Sequence, residues 1–277
     1  MFKLSSWVAV LVIAMTGAAL AQDAKTATPD TSGPLPSIVR RKQGPPAAPP
    51  TAIKTSNARL EVPEKDFRFG YAPQNAKITH SYWLKNAGPD SLHLTDVRPG
   101  CGCTKAPLKT HVLGPGDSTD VEVIFSTGLY SNQTRKSANV VSDVPHMVPP
   151  LTFSAYPQKN VDSLTPFIVT PHLVDLDSLK DQAQSGSVEV RVRNTGNEPL
   201  SFKLVSAPSE WFTVDVPAGS VAPGSDEALQ VRFVKNLTEE LLNKSFTIEA
   251  SDSAMTRYTV PVQKTQRWGP TTTSSAQ

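Results

Sequence analysis

The sequence predicts an all-β protein built from two tandem β-sandwich domains. Apolar and polar residues alternate over several short segments, which is the pattern of half-buried strands. Clusters of Gly, Pro, Asn and Asp separate these segments at the spacing typical of a sandwich. The sequence also contains an internal repeat, with one copy in each domain. Three landmarks return after a constant 108 positions, in the pairs Asn86 and Asn194, Pro115 and Pro223, and Phe125 and Phe233.

The first domain is predicted to span residues 58–158, with its strands beginning near Leu60. Residues 78–84 alternate between apolar and polar, so we expect a strand there with His80 on the core side. A turn over residues 86–90 follows, because Asn and Gly tolerate the positive φ of tight turns. Further strands are expected at Leu92 and Leu94, at Val121, Val123 and Phe125, and over residues 137–141.

The second domain is predicted to span residues 163–264 and to repeat this plan. Apolar positions of the first domain are matched by apolar residues 108 positions later, whereas the outward-facing positions differ. This is expected if burial constrains the sequence. One local difference is residues 237–244, which predict one or two turns of helix between strands. Residues 265–277 are expected to form a flexible tail. The equivalent apolar positions are Val188, Val190 and Val192 in one strand and Leu229, Val231 and Phe233 in another.

The N-terminal region predicts an exported protein. Residues 1–21 combine Lys3, a short apolar run and the small-x-small site 19–21, so they resemble a secretory signal cut before Gln22. The alternative is a membrane anchor, although the apolar run is short for a bilayer of about 30 Å. After cleavage no transmembrane segment is expected, and the protein is predicted to lie in the periplasm or outside the cell.

Residues 22–57 are rich in Pro, Ala, Thr and Ser and contain few apolar residues. Such a segment buries too little apolar surface to offset the entropy of ordering, so we predict a disordered Pro-rich linker. Charge is nearly balanced over the 277 residues, with 27 Lys and Arg against 25 Asp and Glu. Nothing in this balance indicates nucleic acid or an anionic membrane surface as a partner.

Several motifs of the first domain together resemble a known family. They are the segment 67–70 (Phe-Arg-Phe-Gly), Asn86-x-Gly88, the segment 99–104 (Pro-Gly-Cys-Gly-Cys-Thr) and Pro115-Gly116. The resemblance is to a family of exported bacterial proteins known only as a domain of unknown function. That family is similar to the ASH, hydin and major-sperm-protein group of immunoglobulin-like domains. The resemblance covers residues 60–157 and implies a seven-stranded or similar sandwich and an exported location, but no established activity. The second domain resembles the same group only through its turns and apolar pattern.

The cysteines Cys101 and Cys103, with Gly100, Gly102 and Thr104, form the candidate site. Exported proteins meet oxidising conditions, which favour a disulfide. A bridge closing three residues stabilises by roughly 1.6 kcal/mol on the chain-entropy estimate, while strain costs a comparable amount unless Gly102 relaxes the backbone into a turn. The second domain has no cysteines. The bridge therefore either rigidifies a binding loop or takes part in thiol–disulfide exchange.

Metal binding is the third interpretation of the pair. Two thiolates suit a soft ion such as Cu(I), whereas zinc needs two further ligands. Cys101, Cys103, His93 and His111 are the candidate ligands, since both histidines flank the loop in sequence. His93 is expected on the outward side of its strand, and His80 is interpreted as a core residue.

Enzyme signatures do not stand out in the sequence. The segment 100–105 superficially resembles a phosphate loop, but Pro107 follows where a helix should begin and the third glycine is missing. We find no nucleophile elbow and no metalloprotease motif, and no cofactor is expected. The sequence thus predicts a non-enzymatic binding or structural module of the cell envelope, whose partner is another envelope protein or peptide. The alternative is a redox or soft-metal-handling protein that uses Cys101 and Cys103.

Overall fold

The computed structural model describes residues 56–144, 148–238 and 240–268. The predicted signal 1–21 and all of the predicted linker except residues 56 and 57 lie outside this part of the chain, as do residues 269–277. No helix among the described residues is long and apolar enough to cross a membrane.

The first sandwich consists of nine strands with no helix among its described residues. The alternation in β3 is the one predicted from sequence, because Ile78, His80, Tyr82 and Leu84 are all buried. The strands are β1 (Leu60–Glu61), β2 (Asp66–Pro73), β3 (Lys77–Asn86), β4 (Leu92–Pro99), β5 (Thr104–Lys105), β6 (Val112–Leu113), β7 (Ser118–Ser126), β8 (Thr134–Ser142) and β9 (Leu151–Gln158).

The second sandwich repeats this order after a 3₁₀ turn at Val161–Ser163 and adds one short helix, α1 (Lys180–Gln184). Its inward residues form a core of their own around Val190, Phe212 and Phe246. The strands are β10 (Phe167–Thr170), β11 (Val174–Asp175), β12 (Ser187–Asn194), β13 (Phe202–Ser206), β14 (Phe212–Asp215), β15 (Asp226–Phe233), β16 (Leu242–Ala250) and β17 (Arg257–Lys264).

Each domain has one sheet of its own, and the two domains share a third. The separate sheets have the orders β1-β3-β7-β5 and β10-β12-β15-β14. The shared sheet runs β13-β16-β17-β2-β9-β8-β4-β6, with β11 also paired to β17. The domains join where β17 and β2 pair in parallel, with Tyr258 opposite Tyr71. Backbone pairing therefore continues from one sandwich into the other.

Buried polar side chains strengthen this junction. Thr79 and Ser245 exchange hydrogen bonds, since each hydroxyl accepts from the other residue's backbone N–H at 3.1 and 2.8 Å. Lys244 Nζ donates to both carboxylate oxygens of Glu122 at 2.7 and 2.8 Å. A pair shielded from water in this way interacts strongly and is costly to break from one side. The junction is thus a packed interface rather than a loose linker.

The constant offset of 108 positions is preserved at the level of hydrogen bonds. The side chain of Asn86 is fully buried and its Nδ2 donates to the carbonyls of Asp90, Leu113 and Gly114 at 2.8–3.1 Å. Asn194 donates in the same way to the carbonyls of Glu198 and Val221, at 2.7 and 2.9 Å. In both domains the Asn Oδ1 accepts the N–H of the glycine two residues later. The Asn-x-Gly turn therefore ties two loops together in each sandwich.

One local prediction in the second domain is wrong. The predicted helical turn over residues 237–244 is absent from its described residues, and β16 already begins at Leu242. Lys264, fully buried, instead donates to the backbone carbonyls of Thr238 and Glu240 at 3.2 and 2.7 Å. These carbonyls point at a side chain, so the segment does not form the hydrogen bonds of a helix.

Within the predicted tail, residues 265–267 are exposed but Trp268 is packed against the second domain. Trp268 is only 5% exposed, and its Nε1 donates to Asp177 Oδ1 at 3.0 Å. Burial raises the pKa of Asp177, but hydrogen bonds from Thr265 and Trp268 outweigh it and leave that pKa below its usual range. Sequence reasoning missed the burial of Trp268, because a lone aromatic residue in a polar segment does not reveal the pocket that receives it.

Candidate functional site

The two cysteines lie in a tight turn between β4 and β5. Gly100 N–H donates to Ser137 O of β8 at 2.8 Å, and Ser126 N–H at the end of β7 donates to Cys103 O at 2.9 Å. The turn is thereby held between strands of the two opposed sheets. Gly102 is exposed at its apex and has no atom within 4 Å of the position that a Cβ would occupy.

The structure brings the sulfurs of Cys101 and Cys103 to bonding distance. Their Cα atoms are 5.3 Å apart, within the usual range for a disulfide, because the chain turns at Gly102. Both cysteines are half-buried. Thr104 is buried beneath them, with its Oγ1 3.4 Å from Cys101 Sγ and 3.9 Å from Cys103 Sγ. The motif residues therefore form one continuous cluster.

The histidines proposed as metal ligands do not converge on the sulfurs. His93 is exposed, as predicted, and its Nδ1 lies 2.8 Å from Asp143 Oδ2. His111 Nδ1 lies 3.0 Å from the carbonyl oxygen of Leu94. Among the described residues no group of three or more His, Cys, Asp or Glu side chains is placed to hold a metal ion. His80 is buried as predicted, stacked on Phe67 with ring centroids 3.6 Å apart.

Asp143 and His93 form a hydrogen-bonded pair. Burial raises the pKa of Asp143, but the hydrogen bonds and charge of His93 outweigh it, so that pKa is below its usual range. This pair lies on the solvent-facing side of β4.

An exposed apolar patch lies in the loop that follows β7, the strand whose last residue, Ser126, is hydrogen-bonded to Cys103. Leu129 is 79% exposed and Tyr130 is 38% exposed, in the loop between β7 and β8. Tyr130 packs on Phe125, with ring centroids 6.0 Å apart, and Phe125 pairs with Thr104 across the sheet. Lys136 Nζ lies 4.8 Å from the centre of the Tyr130 ring. We name these residues the loop-end surface: Cys101, Gly102, Cys103, Leu129, Tyr130 and Lys136.

The apolar loop is fixed in place by backbone contacts. Gln74 Nε2 donates to the carbonyls of Leu129 and Tyr130 at 3.3 and 2.8 Å, and Tyr130 N–H donates to Thr127 O at 3.2 Å. Thr127 is itself fully buried. A loop whose backbone is already fixed loses less entropy when a partner covers it than a flexible loop would.

The second domain shows what the cysteines replace. Trp211 occupies the position of Cys103, and its carbonyl accepts from Val234 N–H at 2.9 Å, as Cys103 O does from Ser126. Lys235 Nζ lies 4.2 Å above the Trp211 ring. The backbone of this turn is thus maintained without cysteines, and the sulfur pair is an addition to a turn that both copies share.

These features define a class of protein, namely two immunoglobulin-like β-sandwiches joined in tandem. Residues 60–156 match the family described as "Protein of unknown function (DUF1573)". Residues 167–263 match the family described as "HYDIN/CFA65/VesB-like, Ig-like domain". The predicted resemblance and the predicted fold class are confirmed. No curated protein matches the chain at a significant level.

Solved structures with a similar fold come from varied proteins. The Vibrio cholerae VesB protease is 15% identical, with a TM-score of 0.29 over 36% of this chain and 31% of its own. An ASH/PapD-like domain of human CEP192 is 13% identical, with a TM-score of 0.31 over 44% of this chain and 97% of its own. The Pseudomonas aeruginosa CupB2 chaperone is 13% identical, with a TM-score of 0.26 over 73% of this chain and 98% of its own. The chain spans about a third of VesB, and similarities this weak do not constrain its function.

Sequence reasoning missed Leu129 and Tyr130. Two large apolar residues between a Gly and the polar stretch 131–133 were a detectable signal, because they belong to no alternating strand pattern. Their connection to the cysteine turn was not detectable, since it depends on how β7 and β8 enter opposite sheets. The roles assigned to Cys101, Cys103, Gly100, Gly102 and Thr104 stay predictions.

Proposed function

We propose that the chain is an exported, non-enzymatic binding module of the bacterial cell envelope. Its partner is another envelope protein or peptide, which docks on the loop-end surface. The observation that carries this proposal is the exposure of Leu129 and Tyr130 in a loop whose backbone is fixed by hydrogen bonds and which follows β7, the strand whose last residue is hydrogen-bonded to Cys103. Tyrosine is enriched among the residues that dominate binding energy.

Export is consistent with the signal features of residues 1–21 and with the cysteine pair at bonding distance. In an oxidising compartment such a pair forms a disulfide, which keeps the turn at Gly102 in one shape. In this proposal the bridge serves binding by preorganising one side of the docking surface.

The first prediction is that Leu129→Asp weakens partner binding about tenfold or more, because a charge replaces an exposed apolar anchor. In intact cells, a photo-crosslinking residue at position 129 is expected to give one discrete adduct in the exported fraction. Mass spectrometry identifies the adduct, and the purified partner then provides the dissociation constant for the parent chain and for the variant.

The matched control is Leu241→Asp, the same change at a leucine of the second domain that is 52% exposed. This variant should bind the partner as the parent chain does, and position 241 should give no discrete adduct. Equal adducts at both positions, or recovery of the chain in the cytoplasm alone, would contradict the proposal.

Thiol–disulfide exchange is the second candidate function. It is favoured by one observation, the buried Thr104 hydroxyl that lies 3.4 Å from Cys101 Sγ. After reduction this hydroxyl can donate to a Cys101 thiolate, and such a hydrogen bond favours the charged form. The half-buried sulfurs leave room for an attacking thiol. The reduction potential of the bridge separates the two candidates, since exchange proteins lie well above structural disulfides.

The second prediction concerns the double variant Cys101→Ser and Cys103→Ser. We expect it to fold and to lose about 1–2 kcal/mol of unfolding free energy, because only a three-residue loop is released. Binding to the partner should weaken while Leu129 stays accessible. Urea unfolding and the crosslinking yield at position 129 measure the two effects. A variant that binds normally but abolishes thiol oxidation of the partner supports exchange instead.

A further inference from the structure

A second candidate site lies where the two sandwiches meet. A crevice of about 290 Å³ is bounded by β2 and β9 of the first domain and by the turn between β16 and β17 of the second. Its floor depends on a close approach of the two chains, since the backbone of Gly70 lies against that of Arg257. The crevice is therefore a property of the joined domains, and neither sandwich forms it alone.

Three cations surround one buried carboxylate beside this crevice. Glu249 is 3% exposed and accepts from Arg257 Nε at 2.6 Å and from Lys203 Nζ at 2.7 Å, while Arg68 lies 3.9 Å away. The nearby Asp252 carboxylate is occupied by N–H groups of its own turn. The three cations and the two carboxylates together leave a net charge of +1. The side chains of Arg68 and Lys203 are 49% and 69% exposed, so this charge faces solvent.

Glu249 keeps its negative charge in this cluster. Burial raises its pKa, but hydrogen bonds from Lys203 and Arg257, together with their charges, outweigh burial and leave the pKa below its usual range. The carboxylate is therefore fully matched by the two cations that touch it. Arg68, at 3.9 Å, is the cation least engaged by Glu249 and the one best able to turn toward an incoming acid.

Apolar and polar groups share the rest of the crevice, and Gln133, Ser154 and Thr256 are the polar ones. Tyr71 and Tyr156 meet edge to face with ring centroids 5.4 Å apart, and both line the crevice. Met255 lies at its rim and is 53% exposed. A neighbouring, mainly apolar depression against Phe202 shares Met255, so the surface continues toward the edge strand β13. The site offers a basic group beside aromatic and thioether contacts.

We propose that this crevice binds an extended acidic peptide segment of another protein. An aspartate or glutamate of the segment pairs with Arg68, with Lys203 adding a nearby positive charge, and the adjacent apolar side chain packs on Tyr71 and Tyr156. Charge complementarity selects the segment, because a neutral peptide leaves the basic cluster uncompensated. This site is separate from the loop-end surface, and it stands whether or not that surface binds a partner.

The third prediction uses a fluorescent twelve-residue peptide of alternating Asp and Phe, together with its Asn-for-Asp counterpart, in polarisation titrations with the full chain. We expect the Asp peptide to bind about tenfold or more tightly than the Asn peptide, and to weaken as salt is added. The double change Arg68→Glu and Lys203→Glu should weaken binding of the Asp peptide about tenfold or more. Tyr156→Ala should weaken binding of both peptides.

The matched control is Arg98→Glu, the same charge reversal at an arginine whose side chain is 67% exposed and which does not line the crevice. It should change the dissociation constant less than about twofold, the usual effect of a remote surface charge. Thermal melts establish that each variant is folded, and Arg68→Gln replaces the double variant if that one is not.

Several outcomes would overturn the proposal. Equal affinity for the Asp and Asn peptides, equal loss in the Arg98→Glu control, or no binding of the Asp peptide would each do so. Inorganic phosphate that competes at the same concentration as the peptide would assign the crevice to simple anions. Sedimentation showing self-association that Arg68→Glu abolishes would assign it to a second copy of this chain.

Discussion

Asn86→Ala is expected to lower the free energy of unfolding by about 3 kcal/mol, because it removes several hydrogen bonds from a fully buried position. Three carbonyls lose their donor and the N–H of Gly88 loses its acceptor. An alanine leaves a gap too small to solvate them all. Urea unfolding of the full chain measures the change.

Two further variants test the cause of this loss. Asn86→Asp keeps the shape but replaces the donating amide with an oxygen that faces carbonyls, so it should destabilise at least as much as alanine. Asn194→Ala should destabilise the second domain by about 2 kcal/mol, since fewer bonds are lost there.

Asn197→Ala is the control, because Asn197 is exposed in the equivalent turn region. Its unfolding free energy should stay within about 0.5 kcal/mol of the parent chain, as at most surface positions. Similar losses for Asn86→Ala and Asn197→Ala would show that the buried hydrogen bonds are not the cause.

Gly70→Ala is expected to disrupt the junction between the sandwiches. Gly70 has φ +70°. A Cβ at this position would clash with both atoms of the Arg257 carbonyl group. The left-handed backbone costs about 1–2 kcal/mol for alanine, and forcing apart packed backbone adds about 1–3 kcal/mol. We expect a total loss of about 2–5 kcal/mol and a change from one unfolding transition to two.

Gly224→Ala is the matched control for backbone strain. Gly224 has φ +76° but nothing within 4 Å of the Cβ position. Alanine there therefore incurs only the free-energy cost of the left-handed backbone conformation. Its loss should be about 1–2 kcal/mol, with the transition otherwise unchanged. Calorimetry of both variants gives the comparison. Equal losses at the two glycines would mean that contact with Arg257 does not determine the effect.

Local sequence patterns determined the identity of the strands and of the repeated turns. The period-two alternation in β3 and β12 is visible in the sequence because each strand buries one face only. The Asn-x-Gly turns were likewise readable, since they depend on residues close in the chain. The clustering of Cys101, Cys103 and Thr104 could also be predicted, as the three residues fall within four positions.

Tertiary structure decided the features that join distant parts of the chain. Tyr71 pairs with Tyr258, and Tyr130 packs on Phe125, which pairs with Thr104, although neither contact has a local signal. Trp268 was assigned to a tail because its pocket is formed by Asp177 and Lys264, which lie elsewhere in the sequence. Sequence periodicity reports which face of an element is buried. It does not report which surface covers that face, because many surfaces bury the same area and only the packed chain selects one.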